Sequence, residues 1–541
     1  MRGHISLVFL ISLFCLCGCS GEDAPDNIIL PVQEISVGAV KGSTVVTVRA
    51  MGTWTSSASA GWCRALPGGG VCKYMTDNVV NIETDENTTL DARECEIRFE
   101  CGGKTEILKV SQAAHSGFVI EDSDCILPPS ACRSRAPFTA NADYTYELTG
   151  EGLDWISVRK EADGLYLAVS DNTGFSRSCT LRITSGTQQG EIHICQRAMW
   201  IEMCRDLYEY LNRQGYDKDH DGHIDLDEVK GLSELSLSGD FESIQALSLF
   251  PDLKSLETIG GRISAALDIS RFRSLTRLYV KYTDCTEINL SGNRALKYCE
   301  ILSLDTLAAF SADDVVLDYL GIVSGALDRL SFSNSEIRKL YVNCSGISSL
   351  DVSRIDGLAS LEIEHFAADG LVISSPTLED CSFVSCKDMD GITVCGCPGL
   401  SRLSSMFCQV GNLTVSECHS LNYVNFYDSR FSIDISGCES IEEIQLGTGG
   451  HCMYPSVNIS GCRSLSNAKF ALCWIDELNL KDCRIGNLDC IHNFLKELDL
   501  SANEVEVLDC RDCSLLKTIY LRAGAPEPVI YSDEGVTIVY R

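Results

Sequence analysis

The chain has 541 residues, a net charge of −32, 22% charged residues and 29 cysteines. That length allows several domains, and the charge excludes a nucleic-acid binder, because phosphate backbones recruit lysine and arginine. A strongly acidic surface instead keeps a protein soluble and attracts divalent cations.

Residues 1–18 read as an export leader: Arg2 supplies a short positive region, and Ile5 to Cys17 is apolar but short for a membrane span. The run ends in Leu16-Cys17-Gly18-Cys19, which resembles the lipobox of bacterial lipoproteins. The resemblance implies that Cys19 is acylated and holds the chain on a membrane without spanning it. The alternative is an ordinary cleaved leader with Cys19 incidental. In residues 19–30, Cys19 is followed by the acidic, proline-containing SGEDAPDN, which reads as a tether. In some Gram-negative lipoproteins such a stretch directs export outward, which implies a lipid-anchored place on the outer membrane, with the extracellular or periplasmic side left open. An exported chain with this many cysteines could be disulfide-rich. Cys63/Cys72, Cys125/Cys132 and Cys179/Cys195 could pair locally, and the sequence leaves the connectivity open.

From 31 to 198, short β-forming runs such as Thr44–Val48, Glu96–Phe99 and Thr180–Ile183 are separated by Gly, Ser, Asn and Asp. This pattern predicts two tandem Ig-like β-sandwiches, 31–115 and 116–198. The two halves share a motif. Asn87-Thr88, Arg93 and Gln112 in the first answer to Asn172-Thr173-Gly174, Arg177 and Gln196 in the second, with 19 residues from Arg to Gln in both and Trp62 or Trp155 upstream. The motif resembles a tandem of BACON domains; the second copy fits closely, while the first lacks the Gly and carries the inserted ALPGGGVCKY. Because BACON domains were proposed to bind carbohydrate, the resemblance implies that Trp54, Trp62 and Trp155 could stack on sugars. The plainer expectation makes Trp62 and Trp155 sandwich core and the sandwiches spacers.

Residues 199–231 change period. Trp200, Ile201, Cys204, Leu207, Tyr210 and Leu211 recur at helical spacing and predict an amphipathic helix ended by Gly215. The loop DKDHDGHIDLDE comes next. Asp217, Asp219 and Asp221 hold its positions one, three and five, Gly222 takes the sharp turn at six, and His223 offers its carbonyl at seven. Ile224 is the apolar plug at eight, Asp225 stands at nine and Glu228 at twelve. This is the pattern of an EF-hand calcium loop, so Ca2+ is the expected cofactor. A solvated acidic turn is the competing reading. With no second loop and an exit cut short by Gly231, the expected role is a calcium-fixed joint and not a sensor.

The remainder, 232–541, repeats at about 21 residues. The anchors include Leu267-Asp268-Ile269-Ser270, Ile288-Asn289-Leu290-Ser291, Leu350-Asp351-Val352-Ser353, Leu413-Thr414-Val415-Ser416, Ile433-Asp434-Ile435-Ser436 and Leu498-Asp499-Leu500-Ser501. Three residues later comes Asn293, Cys397, Cys418, Cys438, Cys462, Cys483 or Asn503. The frame is that of a leucine-rich repeat solenoid of roughly twelve visible turns. Cysteines that recur with the turns read as packing residues, and Cys395/Cys397 and Cys510/Cys513 read as packing in preference to metal sites. From 217 to about 521 the order of parts resembles a group of bacterial surface lipoproteins with leucine-rich repeats.

The fold expected is therefore mainly β: two sandwiches, a short helix and calcium-loop joint, and a C-terminal solenoid. Between the inward leucines, Asp268, Asn289, Asp351, Thr393, Thr414, Asp434, Asn458, Asn479 and Asp499 should face outward as a candidate ligand row, or simply as a solvated one. Tyrosines on a second wall (Leu278-Tyr279-Val280, Leu340-Tyr341-Val342, Ile519-Tyr520-Leu521) could add contacts. There is no His-Glu-x-x-His, no Gly-x-Ser-x-Gly and no phosphate loop, so the expectation is not an enzyme. It is a monomeric, surface-anchored lipoprotein that recognises a protein or glycan. The alternative is a carbohydrate-binding accessory lipoprotein of a polysaccharide-uptake system.

Overall fold

The computed structural model describes residues 27–263, 266–447 and 452–541. Cys19, the leader and residues 19–26 of the tether lie outside the described residues. The fold is mainly β, in two compact units that divide between Met199 and Trp200. No helix among the described residues is long and apolar enough to cross a membrane.

The first unit holds two sandwich-like cores. Alternation builds them: in Arg93–Cys101 the residues Cys95, Ile97, Phe99 and Cys101 are buried while Glu94, Glu96, Arg98 and Glu100 are exposed. Trp54, Val80, Ile82 and Leu108 complete the first core, and Trp155, Leu165, Leu181 and Ile194 belong to the second. The first sandwich begins earlier than the tether reading placed it. Asn27–Ile29 is a strand paired antiparallel with Arg49–Met51, because Ile28 and Leu30 are apolar enough to be drawn into the core.

The shared motif proves to be one structural cluster used twice. Arg93 lies opposite Gln112, and Arg177 opposite Gln196, across the last hairpin of each sandwich. The Arg93 Nε donates to Gln112 Oε1 at 2.8 Å and that of Arg177 to Gln196 Oε1 at 2.9 Å. Each guanidinium also covers its tryptophan, 4.4 Å from the Trp62 ring and 4.9 Å from the Trp155 ring. Asn87 and Asn172, both buried, tie the neighbouring loops through backbone carbonyls. Arg177→Met should thus strand Gln196 Oε1 and the carbonyl of Asp171, while Ser170 O keeps the Gln196 Nε2 donor. A loss of about 1–3 kcal/mol is expected, seen as faster amide exchange across 177–196 and little change in the solenoid.

Cys63, Cys72, Cys125 and Cys132 stand as thiols in the structure. Cys72 Sγ donates to Asn78 Oδ1 at 3.4 Å. Cys63 lies against Cys95 instead, and burial followed by that neighbour pushes its thiol up to about 12.

The second unit is a β-solenoid of about 14 turns. Most turns place a strand on each of two principal walls, and the two walls differ. One is a continuous parallel sheet of 15 strands from Glu234–Leu237 to Val529–Ser532. The Leu-x-Val-Ser anchors form the other, which is broken into sheets of 4, 6 and 3 strands, while Val316–Leu317, Ser335–Ile337 and Ile355–Asp356 pair as a short third wall. The sequence reading thus identified the interrupted wall as the strand ladder and the continuous sheet as secondary. Ile519-Tyr520-Leu521 belongs to the anchor wall, paired with Leu498–Leu500, and not to the tyrosine wall. Asp351 lies outside any strand.

Both corners of the coil are closed by an inward polar or sulfur group that donates to the preceding turn. At one corner Asn293 Nδ2 bonds the carbonyls of Ile269 and Phe272, and Cys462 and Cys483 Sγ reach Ile435 O and Ile459 O. At the other, Ser324, Cys344, Cys386, Cys408 and Asn493 do the same to Leu304, Ile322, Ile363, Phe383 and Phe470. In several turns the residue just before this second group has positive φ: Tyr282, Ser385, Phe407, Leu472, His492 and Asp512. Cysteine therefore recurs because a small buried donor is needed at each corner.

Candidate functional site

Residues Trp200 to Gly231 precede the first turn of the solenoid. The helix is shorter than its apolar period implied, Arg205–Arg213 with Leu207 and Leu211 buried. Trp200 and Ile201 are not helical. Ile201 donates its N–H to Ile224 O at 2.8 Å, Trp200 bridges antiparallel to Asp225, and the Trp200 ring stacks on His223 at 4.2 Å. The segment before the helix thus straps down the plug residue Ile224, which is 1% exposed.

The loop is built around its own carboxylates. Ligand oxygens of Asp217, Asp219 and Asp221 lie within 4.8 Å of one another. Gly222 takes φ 86°, the turn only glycine adopts without strain, and donates its N–H to Asp217 Oδ2. Tyr208 Oη donates to the same oxygen at 2.7 Å. Asp217 is only 2% exposed, yet its Oδ1 has no hydrogen-bond partner among the described residues. Burial works to raise the Asp217 pKa, but hydrogen bonds from Tyr208 and from the N–H groups of Gly222 and His220 outweigh it, and the carboxyl sits below its ordinary value. Tyr208, donating to that carboxylate, is pushed up to about 12.

Asp225 and Glu228 close the loop. Asp225 Oδ1 accepts the N–H groups of Asp227 and Glu228, and Glu228 reaches back across the loop to the N–H groups of Lys218, Asp219 and Asp225. Burial raises the pKa of both carboxyls. An orphaned anionic oxygen beside two more carboxylates, with two further acids held up by desolvation, fits an oxygen-seeking divalent cation in both charge and donor type. The His223 imidazole lies on Trp200, so only its carbonyl is of use to such an ion.

The outward anchor row has a local duty. Asp268, Asp351, Asp434, Asn458, Asn479 and Asp499 each accept, through Oδ1, the N–H two residues on, at 3.0–3.2 Å, and so end their strands or turns. Neighbours in the row are also linked: Asn289 Nδ2 to Asp268 and Asn458 Nδ2 to Asp434, at 3.4 and 3.0 Å. Thr393 and Thr414 are paired in register on adjacent strands and half-buried. On the continuous sheet Tyr298 and Tyr319 stack on successive strands with ring centroids 4.8 Å apart, and Tyr279 lies tilted against Tyr298 at 5.3 Å. Tyr298 and Tyr319 escaped the sequence reading, although their 21-residue spacing was visible there.

The family model BACON, described as "Putative binding domain, N-terminal", matches residues 52–113. The match falls on the first sandwich, whose motif departs further from the expected pattern. No curated protein matches the chain. Among solved structures, a Bacteroides ovatus GH5 xyloglucanase in complex with a XXXG heptasaccharide is 18% identical over 19% of this chain and 22% of that one, with a TM-score of 0.15. Endo-fucoidan hydrolase MfFcnA4 from glycoside hydrolase family 107 is 10% identical over 40% and 33%, with a TM-score of 0.16. Mouse cadherin-23 EC22-24 is 13% identical over 32% and 64%, at 0.21. The chain spans about a fifth to a third of the length of the hydrolases it matches, and likenesses of this size carry no functional argument. What the chain is similar to, in its first sandwich, is the BACON family.

Proposed function

We propose that the chain is a non-enzymatic recognition lipoprotein, anchored through Cys19, whose solenoid of leucine-rich repeats presents a ligand face fixed by a calcium loop. The observation that carries this reading is the regular coil itself: its parallel walls hold like side chains one strand apart in long rows, an extended surface suited to a protein or glycan partner. Asp217, Asp219, Asp221, the His223 carbonyl, Asp225 and Glu228 are the groups that would hold calcium, which would supply charge neutralisation at the entry to the coil. The sandwiches act as spacers. Trp54 and Trp155 are 1% and 5% exposed, and Trp62 lies under Arg93, so their rings serve packing in preference to sugar stacking.

The test displays residues 27–541 in calcium to arrays of glycans and of surface proteins, beside Thr393→Glu/Thr414→Glu. Neither threonine terminates a strand as the Asx residues do, so the pair should fold normally. Loss of at least about tenfold in affinity for the captured ligand is the expected result. Binding that survives in the double variant but disappears with the 27–199 segment would move the ligand face to the sandwiches.

A further inference from the structure

We propose that the continuous sheet of the solenoid carries a docking face for a cationic protein segment, an extended stretch with two lysines four residues apart, held by Glu300 and Glu362. This names a partner chemistry for the recognition coil proposed above. The face lies on the other wall from the anchor row of Thr393 and Thr414, so the two sites stand or fall separately.

One outward row of the sheet reads, strand by strand in register, Glu257, Tyr279, Glu300, Gly321, Tyr341 and Glu362. At its first two members the chain fills its own site. Lys281 Nζ lies 3.1 Å from Glu257 Oε1 and 5.0 Å from the centre of the Tyr279 ring. A carboxylate on one strand and a phenol ring on the next thus hold an ammonium, by its charge and by the ring's quadrupole. Carboxylate and phenol meet again at Glu300 and at Glu362, but the lysine does not recur. On the following strands the positions matching Lys281 are Leu302, Val323 and Asn343.

Around these two carboxylates are phenols and more acid. Tyr298 donates to Glu300, and Tyr341 to Glu364. The Tyr319 side chain lies along its own strand over Gly321, where a Cβ would stand 2.7 Å from its Oη, and so enters the row beside Glu300. Burial, then Glu300 and Glu362, raise the Tyr319 pKa, so both carboxylates bear on that one phenol. Burial, followed by Glu364 and Asp380, also raises the pKa of Glu362. Neither Glu300 nor Glu362 makes an ion pair among the described residues. The cations of these turns do not fill the gap. Lys297 Nζ donates to Val316 O at 3.2 Å, and Arg338 and Lys339, at the entry end of the strand Lys339–Asn343, make no ion pair among the described residues.

The spacing sets the length of the partner. Glu300 and Glu362 are three strand steps apart, about 14 Å. An extended segment crossing the strands covers about 13 Å in four residues and turns its first and fifth side chains to one side. Two ammonium groups at that separation reach both carboxylates, with Tyr319 and Tyr341 between them.

The 541-residue chain is titrated, in calcium, with a fluorescent Gly/Ser peptide carrying two lysines four residues apart. Its Nε-acetylated twin keeps the length and loses the charge. The charged peptide should bind saturably and more weakly as salt rises, and the acetylated one at least about tenfold more weakly. Glu300→Gln/Glu362→Gln should keep the melting temperature and lose at least about tenfold in affinity for the charged peptide. Asp476→Asn/Glu477→Gln makes the same change of charge at the anchor strand Glu477–Asn479 and should bind as the native chain does. Equal binding of the two peptides, no saturable binding, or undiminished affinity in Glu300→Gln/Glu362→Gln would each overturn the proposal. So would an equal loss in Asp476→Asn/Glu477→Gln, which would mean attraction to net charge alone.

Discussion

Asn293→Ala is expected to be the most damaging single change in the solenoid that leaves its apolar core intact. Asn293 makes four hydrogen bonds inside the corner, two donated to Ile269 O and Phe272 O at 2.9 and 3.0 Å and two accepted from Ala295 and Leu296 at 3.0 Å. The residue is 3% exposed, so water does not readily replace those partners. Each buried group left without a partner costs about 1–3 kcal/mol; allowing for relaxation, a total of about 4 kcal/mol is expected, at the diagnostic end of the scale for point changes. The denaturant midpoint of the second unit should fall at nearly unchanged slope. Because each turn contacts only its neighbours, amide exchange should rise first in the turns on either side of 293. Asn293→Cys, retaining a donor as the later turns do, should cost less than half as much. A loss below about 1 kcal/mol for the alanine variant would show that the corner bonds are replaceable.

This duty explains why the anchor wall was legible in the sequence. It stands out because its period and its Asn or Cys recur together, from Asn293 to Asn503, and one physical requirement, a small inward donor, lies behind both. The continuous sheet carries as strong a requirement but blurs it. Its inward positions accept Leu278, Cys299, Leu361, Cys381 and Ala468 alike, and the left-handed residue at its corner is Tyr282, Phe407 or Leu472, none of them a glycine that would announce a turn. The column just after it, with Ser324, Cys344, Cys386, Cys408 and Asn493, was the available signal; it is mixed in residue type and easily mistaken for scattered polar residues in loops. The loop at 217–228 was legible for the opposite reason, since its chemistry is packed into twelve contiguous residues. What lay beyond local reading was the strap. Trp200 and Ile201 fit a helical period, yet the Ile201 N–H is bonded to Ile224 O and the Trp200 ring rests on His223, each 23 residues away. In the sandwiches the Arg–Gln spacing was readable because it is a hairpin register, and its meaning as a cation–π cluster waited on the tryptophans that the fold brings to it.

Calcium should raise the melting temperature of the second unit, and Asp217→Ala/Glu228→Ala should abolish the rise. The metal-free loop is unfavourable at neutral pH: Asp217 Oδ1 is buried and without a partner among the described residues, and burial opposes ionisation of Asp225 and Glu228. A bound cation relieves all three at once. Its stabilisation is RT ln(1 + [L]/Kd), about 2.7 kcal/mol at a hundredfold excess over Kd and about 4.1 at a thousandfold. The pH dependence has a definite sign. A carboxyl whose folded pKa is raised binds more protons in the folded than in the unfolded state, so the metal-free protein gains from Asp225 and Glu228 as pH falls into their raised range. The calcium-bound protein needs those groups deprotonated and loses affinity over the same range. The calcium increment should accordingly be largest near neutral pH and shrink steadily on acidification. Trp200 provides the local readout, since its ring rests on His223 and its backbone pairs with Asp225: its emission should change with calcium in the native chain and stay constant in the double variant. A melting temperature indifferent to millimolar calcium, with Trp200 emission equally unmoved, would leave the carboxylates as a solvated turn and remove the calcium-fixed joint from the proposed function.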